Sequence, residues 1–129
     1  MAEDRRDRGL AMRRQVMGDE YVDRALGSAT DLSRPFQELV TEYCWGQWAS
    51  DGLDPRTRSL VTMAILGALG RSQELTGHLR GARRNGCTDE EIRECLMHVA
   101  IYAGIPAGVE AFRLAVAAAE TENESEATR

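Results

Sequence analysis

A chain of 129 residues has material for one sizeable hydrophobic core, which excludes multidomain machinery. Sixteen arginines, no lysine and 21 acids leave a net charge of −5, which argues against nucleic acid or an anionic membrane as partner. The lack of lysine excludes a Schiff base, a pyridoxal phosphate anchor and a Walker A loop, so an anion would be held by arginine. Two histidines, His78 and His98, cannot build a three-histidine metal site; a mixed histidine and carboxylate site is arithmetically open, but no metal is expected. Cys44, Cys87 and Cys95 form no CxxC pair, a pattern suited to a reducing compartment. The charged segment MAEDRRDRGLAMRRQ lacks the apolar heart of a signal peptide, and no stretch has the roughly 18 apolar residues of a membrane span. A soluble cytoplasmic protein is expected.

Helical periodicity runs through nearly every segment, which predicts an all-α domain of about six to seven helices over residues 1–120. Two peripheral helices are expected first, over 5–17 and 19–29, divided by Gly18. A third, over 33–49, carries Phe36, Leu39, Val40, Tyr43 and Trp45 at helical spacing and leads into a loop bracketed by Gly46 and Gly52. Asp54-Pro55 is a helix start, with Asp as the cap and Pro where its missing N–H costs nothing. The run LVTMAILGALG that follows is apolar on every side, which predicts burial all round with help from neighbouring subunits. Ser72 is the expected cap of the next helix, which Asn85-Gly86 stops. Thr88-Asp-Glu-Glu91 is a capping box, and the helix after it presents Ile92, Cys95, Leu96, Val99 and Ala103 as one stripe until Gly104. Pro106 opens an alanine-rich last helix through about Glu120, and residues 121–129 read as an acidic, disordered tail.

Arg71, Glu74 and His78 are spaced three and four apart and share one helix face. This fits a half-buried site in which Glu74 orients His78 and an arginine holds an anion, or a solvated i, i+4 pair at the edge of the core. Spacing does not choose between them. His98 is a second acid–base candidate or a histidine held at a helix interface, four residues after Glu94 and four before Tyr102. Arg56 and Arg58 oppose the dipole of the helix they begin, which suggests pairing with a ligand or another subunit. Trp45 and Trp48 suit a pocket wall or a core, and the cysteines read as small buried hydrophobes.

The segments GDEYVDRAL, FQELVTEYCWGQW, GLDPRTRSLVTMAILGALGR, ELTGHLRGARRNGCTDEEI and HVAIYAGIPAGVEAF, in that order, resemble the carboxymuconolactone decarboxylase family from Gly18 to Ala115. The resemblance implies the helical fold shared with alkylhydroperoxidases, assembly as a homohexamer and no cofactor. It also implies decarboxylation of 4-carboxymuconolactone to 3-oxoadipate enol-lactone in the protocatechuate branch of the β-ketoadipate pathway. A related decarboxylase or isomerase acting on another small unsaturated lactone or acid is the alternative. The peroxidase branch carries a CxxC pair where this chain has Arg71 and Glu74, and a glutamate where it has Ser59, so thiol peroxidase chemistry is not expected. On this resemblance His78 is the expected proton donor or oxyanion partner with Glu74 orienting it. Arg58 and Arg71 are expected to hold the two substrate carboxylates, Trp45 and Tyr102 to form an apolar wall, and His98 to assist binding.

Overall fold

A computed structural model describes the backbone of residues 2–127, and every described element is helical. In chain order these are α1 (Ala2–Met17), α2 (Asp19–Gly27), α3 (Arg34–Leu39), a π-helical turn (Val40–Cys44), α4 (Trp45–Trp48), α5 (Pro55–Leu69), α6 (Ser72–Arg84), α7 (Asp89–Ala103) and α8 (Ile105–Ala127). Because α3, the π turn and α4 follow one another without a break, the described residues form seven helical rods. The chain divides into two compact units, residues 1–58 and 59–129, with the boundary inside α5. No helix among the described residues is long and apolar enough to cross a membrane.

In the first unit, α1 packs on the π turn and on α4. Far from being peripheral, α1 supplies fully buried Val16, which meets Trp45 and Trp48 in a small core. The contact depends on Gly9, where a Cβ would lie 2.2 Å from the Thr41 carbonyl oxygen and 2.9 Å from the Gly46 nitrogen. One turn to either side on the same face, Arg5 and Arg13 reach over to the π turn. Arg5 donates from Nε to the Glu42 carbonyl (3.1 Å) and from Nη2 to the Tyr43 carbonyl (3.2 Å). Widening to i→i+5 bonding displaces carbonyls from the regular ladder, and a guanidinium with several donors can satisfy two at once. The expected apolar row Phe36, Leu39 and Tyr43 is exposed, while Trp45 and Trp48 turn inward.

In the second unit, α8 packs against α6 and α7 around Met63, Leu75, Leu79, Ile92, Leu96 and Ala111. A fully buried leucine such as Leu79 or Leu96 contributes about 2 kcal/mol by removing its apolar surface from water. Close approach of α7 and α8 is secured at Gly108, where a Cβ would fall 2.6 Å from that of Ala100. Only Ser59, Met63 and Gly67 of α5 are buried, and Val61, Ile65 and Leu69 form an open row, so burial all round does not hold within one chain.

The caps at Asp54 and Thr88 and the glycine stops at 86 and 104 follow local chemistry, and one expected cap does not. Asp54 accepts from the Thr57 amide at 2.7 Å, and Thr88 and Glu91 form both halves of the capping box. Removing the Thr88 hydroxyl by Thr88→Ala should cost about 1 kcal/mol, read as a lower urea midpoint at unchanged m-value. Gly86 (φ 89°) and Gly104 (φ 106°) end α6 and α7 in the left-handed region. Ser72 is the exception. Arg71 occupies the cap position, and the Ser72 hydroxyl donates across to Glu110 Oε1 on α8 at 3.3 Å instead of capping its own helix. The last helix runs past Glu120 into the expected tail as far as Ala127, and residues 128–129 lie outside the described residues.

Candidate active site

The second unit carries Arg71, Glu74, His78, His98 and Tyr102. Arg71 holds the start of α6, its amide donating to the Leu66 carbonyl (2.9 Å), and its exposed side chain precedes the exposed Glu74. His78 lies one turn further along α6 and is half-buried, flanked in sequence by the core residues Leu75 and Leu79. Burial penalises the imidazolium and pulls the pKa of His78 below its ordinary value. The three residues thus grade from solvent to core along one helix face: a cation, a carboxylate and a neutral imidazole.

The sign of the His78 shift makes a prediction. The folded protein binds fewer protons than the unfolded chain between the lowered value and about 6.5, so stability rises with pH across that window. The contribution of His78 is therefore present above pH ~6.5 and is lost as pH falls through the folded value. Denaturation midpoints measured from neutral to mildly acidic pH should drop for the native chain, and His78→Gln should flatten that drop.

On α7 the rings of His98 and Tyr102 stack with centroids 4.7 Å apart at 39°, and both residues are exposed. His98 is accordingly a surface histidine packed on a tyrosine one turn away and not one enclosed at a helix interface.

The first unit carries Arg58 and Trp45. Arg58 folds back on the loop before its helix, donating from Nε to the Leu53 carbonyl (3.0 Å) and from Nη2 to the Ser50 hydroxyl (2.8 Å) and carbonyl (3.3 Å). A local staple thus accounts for a cation at this helix start, and three loop oxygens already occupy much of its donor capacity. Trp45 is only 4% exposed, with its ring 5.1 Å from that of Trp48. It packs in the core under α1. Of the cysteines Cys87 is buried and Cys95 half-buried, whereas Cys44 is exposed.

A cleft of about 600 Å³ opens in the second unit beside Arg83, Arg84, Cys87, Asp89 and Glu122, none of them a residue of the expected site. Arg83 is ion-paired with Asp89, and two acids balance the two arginines, so the cleft favours neither sign of ligand. Among the described residues no group of three His, Cys, Asp or Glu side chains is placed to hold a metal ion. Two polar features escaped the reading of the sequence. Asn85 donates to the fully buried Ser59 hydroxyl at 3.0 Å, and Arg13 is buried within a segment whose charge suggests a solvated helix.

The sequence pattern of the Carboxymuconolactone decarboxylase family matches residues 34–117, about two thirds of the chain. The chain belongs to this family. A 4-carboxymuconolactone decarboxylase of Acinetobacter baylyi is 42% identical over 114 residues, covering 88% of this chain and 85% of the relative. Nitrosuccinic acid decarboxylase npaB of Metarhizium robertsii is 46% identical over 106 residues, 81% of this chain and 74% of the relative. A 4-carboxymuconolactone decarboxylase sequence from Pseudomonas putida is 43% identical over 42 residues, 33% of this chain and 88% of that sequence. The family match spans both units, and the helix bearing Arg71, Glu74 and His78 lies wholly within it.

Proposed function

We propose that this protein decarboxylates 4-carboxymuconolactone to 3-oxoadipate enol-lactone and CO2 without a cofactor, in the protocatechuate branch of the β-ketoadipate pathway in the cytoplasm. The observation that carries this reading is the 42% identity, across 88% of the chain, to a decarboxylase named for that substrate. The substrate supplies its own electron sink. Its departing carboxylate sits on a ring carbon next to a C=C bond conjugated with the lactone carbonyl. When the C–C bond breaks, its electron pair moves through the alkene onto that oxygen, giving a dienolate. A proton added at the carbon next to the lactone carbonyl completes the product. The protein has to bind two carboxylates, stabilise the oxyanion and deliver one proton.

His78 is the centre of this proposal. Because burial disfavours its charged form, it is neutral at pH 7, and a neutral imidazole can donate its N–H to the developing oxyanion. In its other role, His78 takes a proton from solvent and, as a stronger acid than an ordinary histidine, delivers it to the dienolate carbon. Glu74, one turn earlier, orients the ring, and Arg71 holds a carboxylate as a fork. On the same unit, His98 and Tyr102 offer an exposed aromatic and polar surface for the ligand.

The nitrosuccinic acid relative favours one competing reading, a decarboxylase for another small diacid. A nitro group, like a conjugated lactone, can accept the electron pair left by CO2, so one chemistry serves both substrates. Assembly as a homohexamer is proposed alongside, supported by exposed apolar side chains in the second unit, among them Val61, Ile65 and Leu69 on α5 and Ile101 on α7.

The test is an ultraviolet assay with enzymatically generated 4-carboxymuconolactone in the presence of EDTA, with CO2 release followed in parallel. Loss of substrate absorbance with stoichiometric CO2 is the expected result. No turnover of the lactone by folded protein, together with CO2 release from nitrosuccinate, would transfer the proposal to the competing substrate.

A further inference from the structure

Arg13 is the most deeply placed charge described in the first unit. It is 4% exposed, and its side chain points from α1 at the π turn. Nη1 donates to the hydroxyl of Thr41 (3.1 Å), itself 1% exposed, and Nη2 donates to Gln37 Oε1 (2.9 Å). The Nε–H is shielded from solvent and makes no hydrogen bond. Among the described residues no carboxylate pairs with Arg13. The titratable groups that act on it are a phenol and a thiol, those of Tyr21 and Cys44, and burial draws its pKa below the usual range. A guanidinium removed from water and given only neutral acceptors lacks the counter-charge that normally offsets its desolvation.

The vacant donor has a particular geometry. Nε–H and one Nη2–H of a guanidinium are parallel and form the side fork that accepts a carboxylate through both oxygens. Here Gln37 places its single amide oxygen on Nη2, and Nε–H has no acceptor. Gln37 is half-exposed, so its side chain can swing outward and open a way from solvent to the fork without moving the helices. The opposite side of the cluster is held rigid by the contact of Gly9 with the π turn. The cluster is therefore complete except for an acceptor with two oxygens and a negative charge.

We infer that Arg13, Gln37 and Thr41 form a binding site for a small carboxylate in the first unit, with the anion displacing the Gln37 amide and taking both Nε–H and Nη2–H of Arg13. The site shares no residue with the His78 cluster, so it stands or falls independently of the proposed reaction.

The experiment is thermal unfolding of the full chain with succinate titrated in, against sodium chloride at matched ionic strength. Succinate should raise Tm by about 4 °C at ten times its dissociation constant, with no comparable rise in chloride. Gln37→Glu supplies the missing oxygen and charge from within the chain, so it should raise the basal Tm and abolish the succinate response. Arg13→Gln should also abolish the response, and Gln37→Glu still decides the matter if that variant does not fold. Arg71→Gln, which removes the carboxylate fork assigned to the reaction, should respond as the native chain does. Equal shifts in chloride, no shift in the native chain, an undiminished response in Gln37→Glu, or a response lost in Arg71→Gln would each overturn the site.

Discussion

Replacing His78 by alanine is expected to lower kcat on 4-carboxymuconolactone by a factor of about 100 or more, with KM little changed. The ring is held where solvent gives way to core on α6, and removing it takes away the proposed oxyanion partner or proton donor. Little of the fold depends on it, since the core contacts of α6 are made by Leu75, Leu79 and Ala82. Helical content and oligomeric state should therefore survive. Steady-state kinetics beside circular dichroism and light scattering separate the two effects, and near-normal turnover would remove His78 from the mechanism. Glu74→Gln should produce a smaller loss and displace the pH profile, because an orienting carboxylate acts through the imidazole and not on the substrate.

Gly9→Ala is expected to cost about 3 kcal/mol, an unusually large penalty for one added methyl group in a helix. Helix propensity by itself favours alanine over glycine by about 1 kcal/mol, so the sign is decided by the tertiary contact. The new carbon would stand 2.2 Å from a backbone oxygen and 2.9 Å from a backbone nitrogen, neither of which can move aside as the end of a side chain could. Relief requires α1 to lift from the π turn, which would also pull Arg5 and Arg13 from their acceptors. Urea denaturation reads the loss. A variant as stable as the native chain would show that α1 is not held by this contact.

The elements that sequence reading placed well are those defined by neighbours in the chain. The Thr88-to-Glu91 box, the Asp54-Pro55 start and the glycine stops at positions 86 and 104 depend on bonds within a few residues, and each appears as expected. The misses share a different cause. Ser72 has the chemistry of a cap, but Glu110, 38 residues away, takes its hydroxyl. Phe36, Leu39 and Tyr43 have the spacing of a core face, yet the π turn and α1 direct Trp45 and Trp48 inward instead. Arg13 lies among charged neighbours typical of a solvated helix, and only the row Arg5, Gly9, Arg13, with a glycine between two arginines four apart, hints at a buried contact. In the candidate site, the common helix face of Arg71, Glu74 and His78 was legible from spacing, whereas the burial that lowers the histidine's pKa was not.

Sequence by itself determined the helical class, most helix boundaries, the absence of lysine chemistry and the row of residues on α6 that carries the proposed reaction. These follow from hydrophobic period, capping groups and composition, which act locally and survive in any arrangement of the helices. Tertiary structure alone decided that α1 is a core element, that Trp45 is buried and Arg58 bonded to its own loop, and that Arg13 lacks a counter-charge. Burial and hydrogen-bond partnership across dozens of residues are properties of three-dimensional neighbours, and a linear pattern contains them only where a glycine or a small residue marks the close approach.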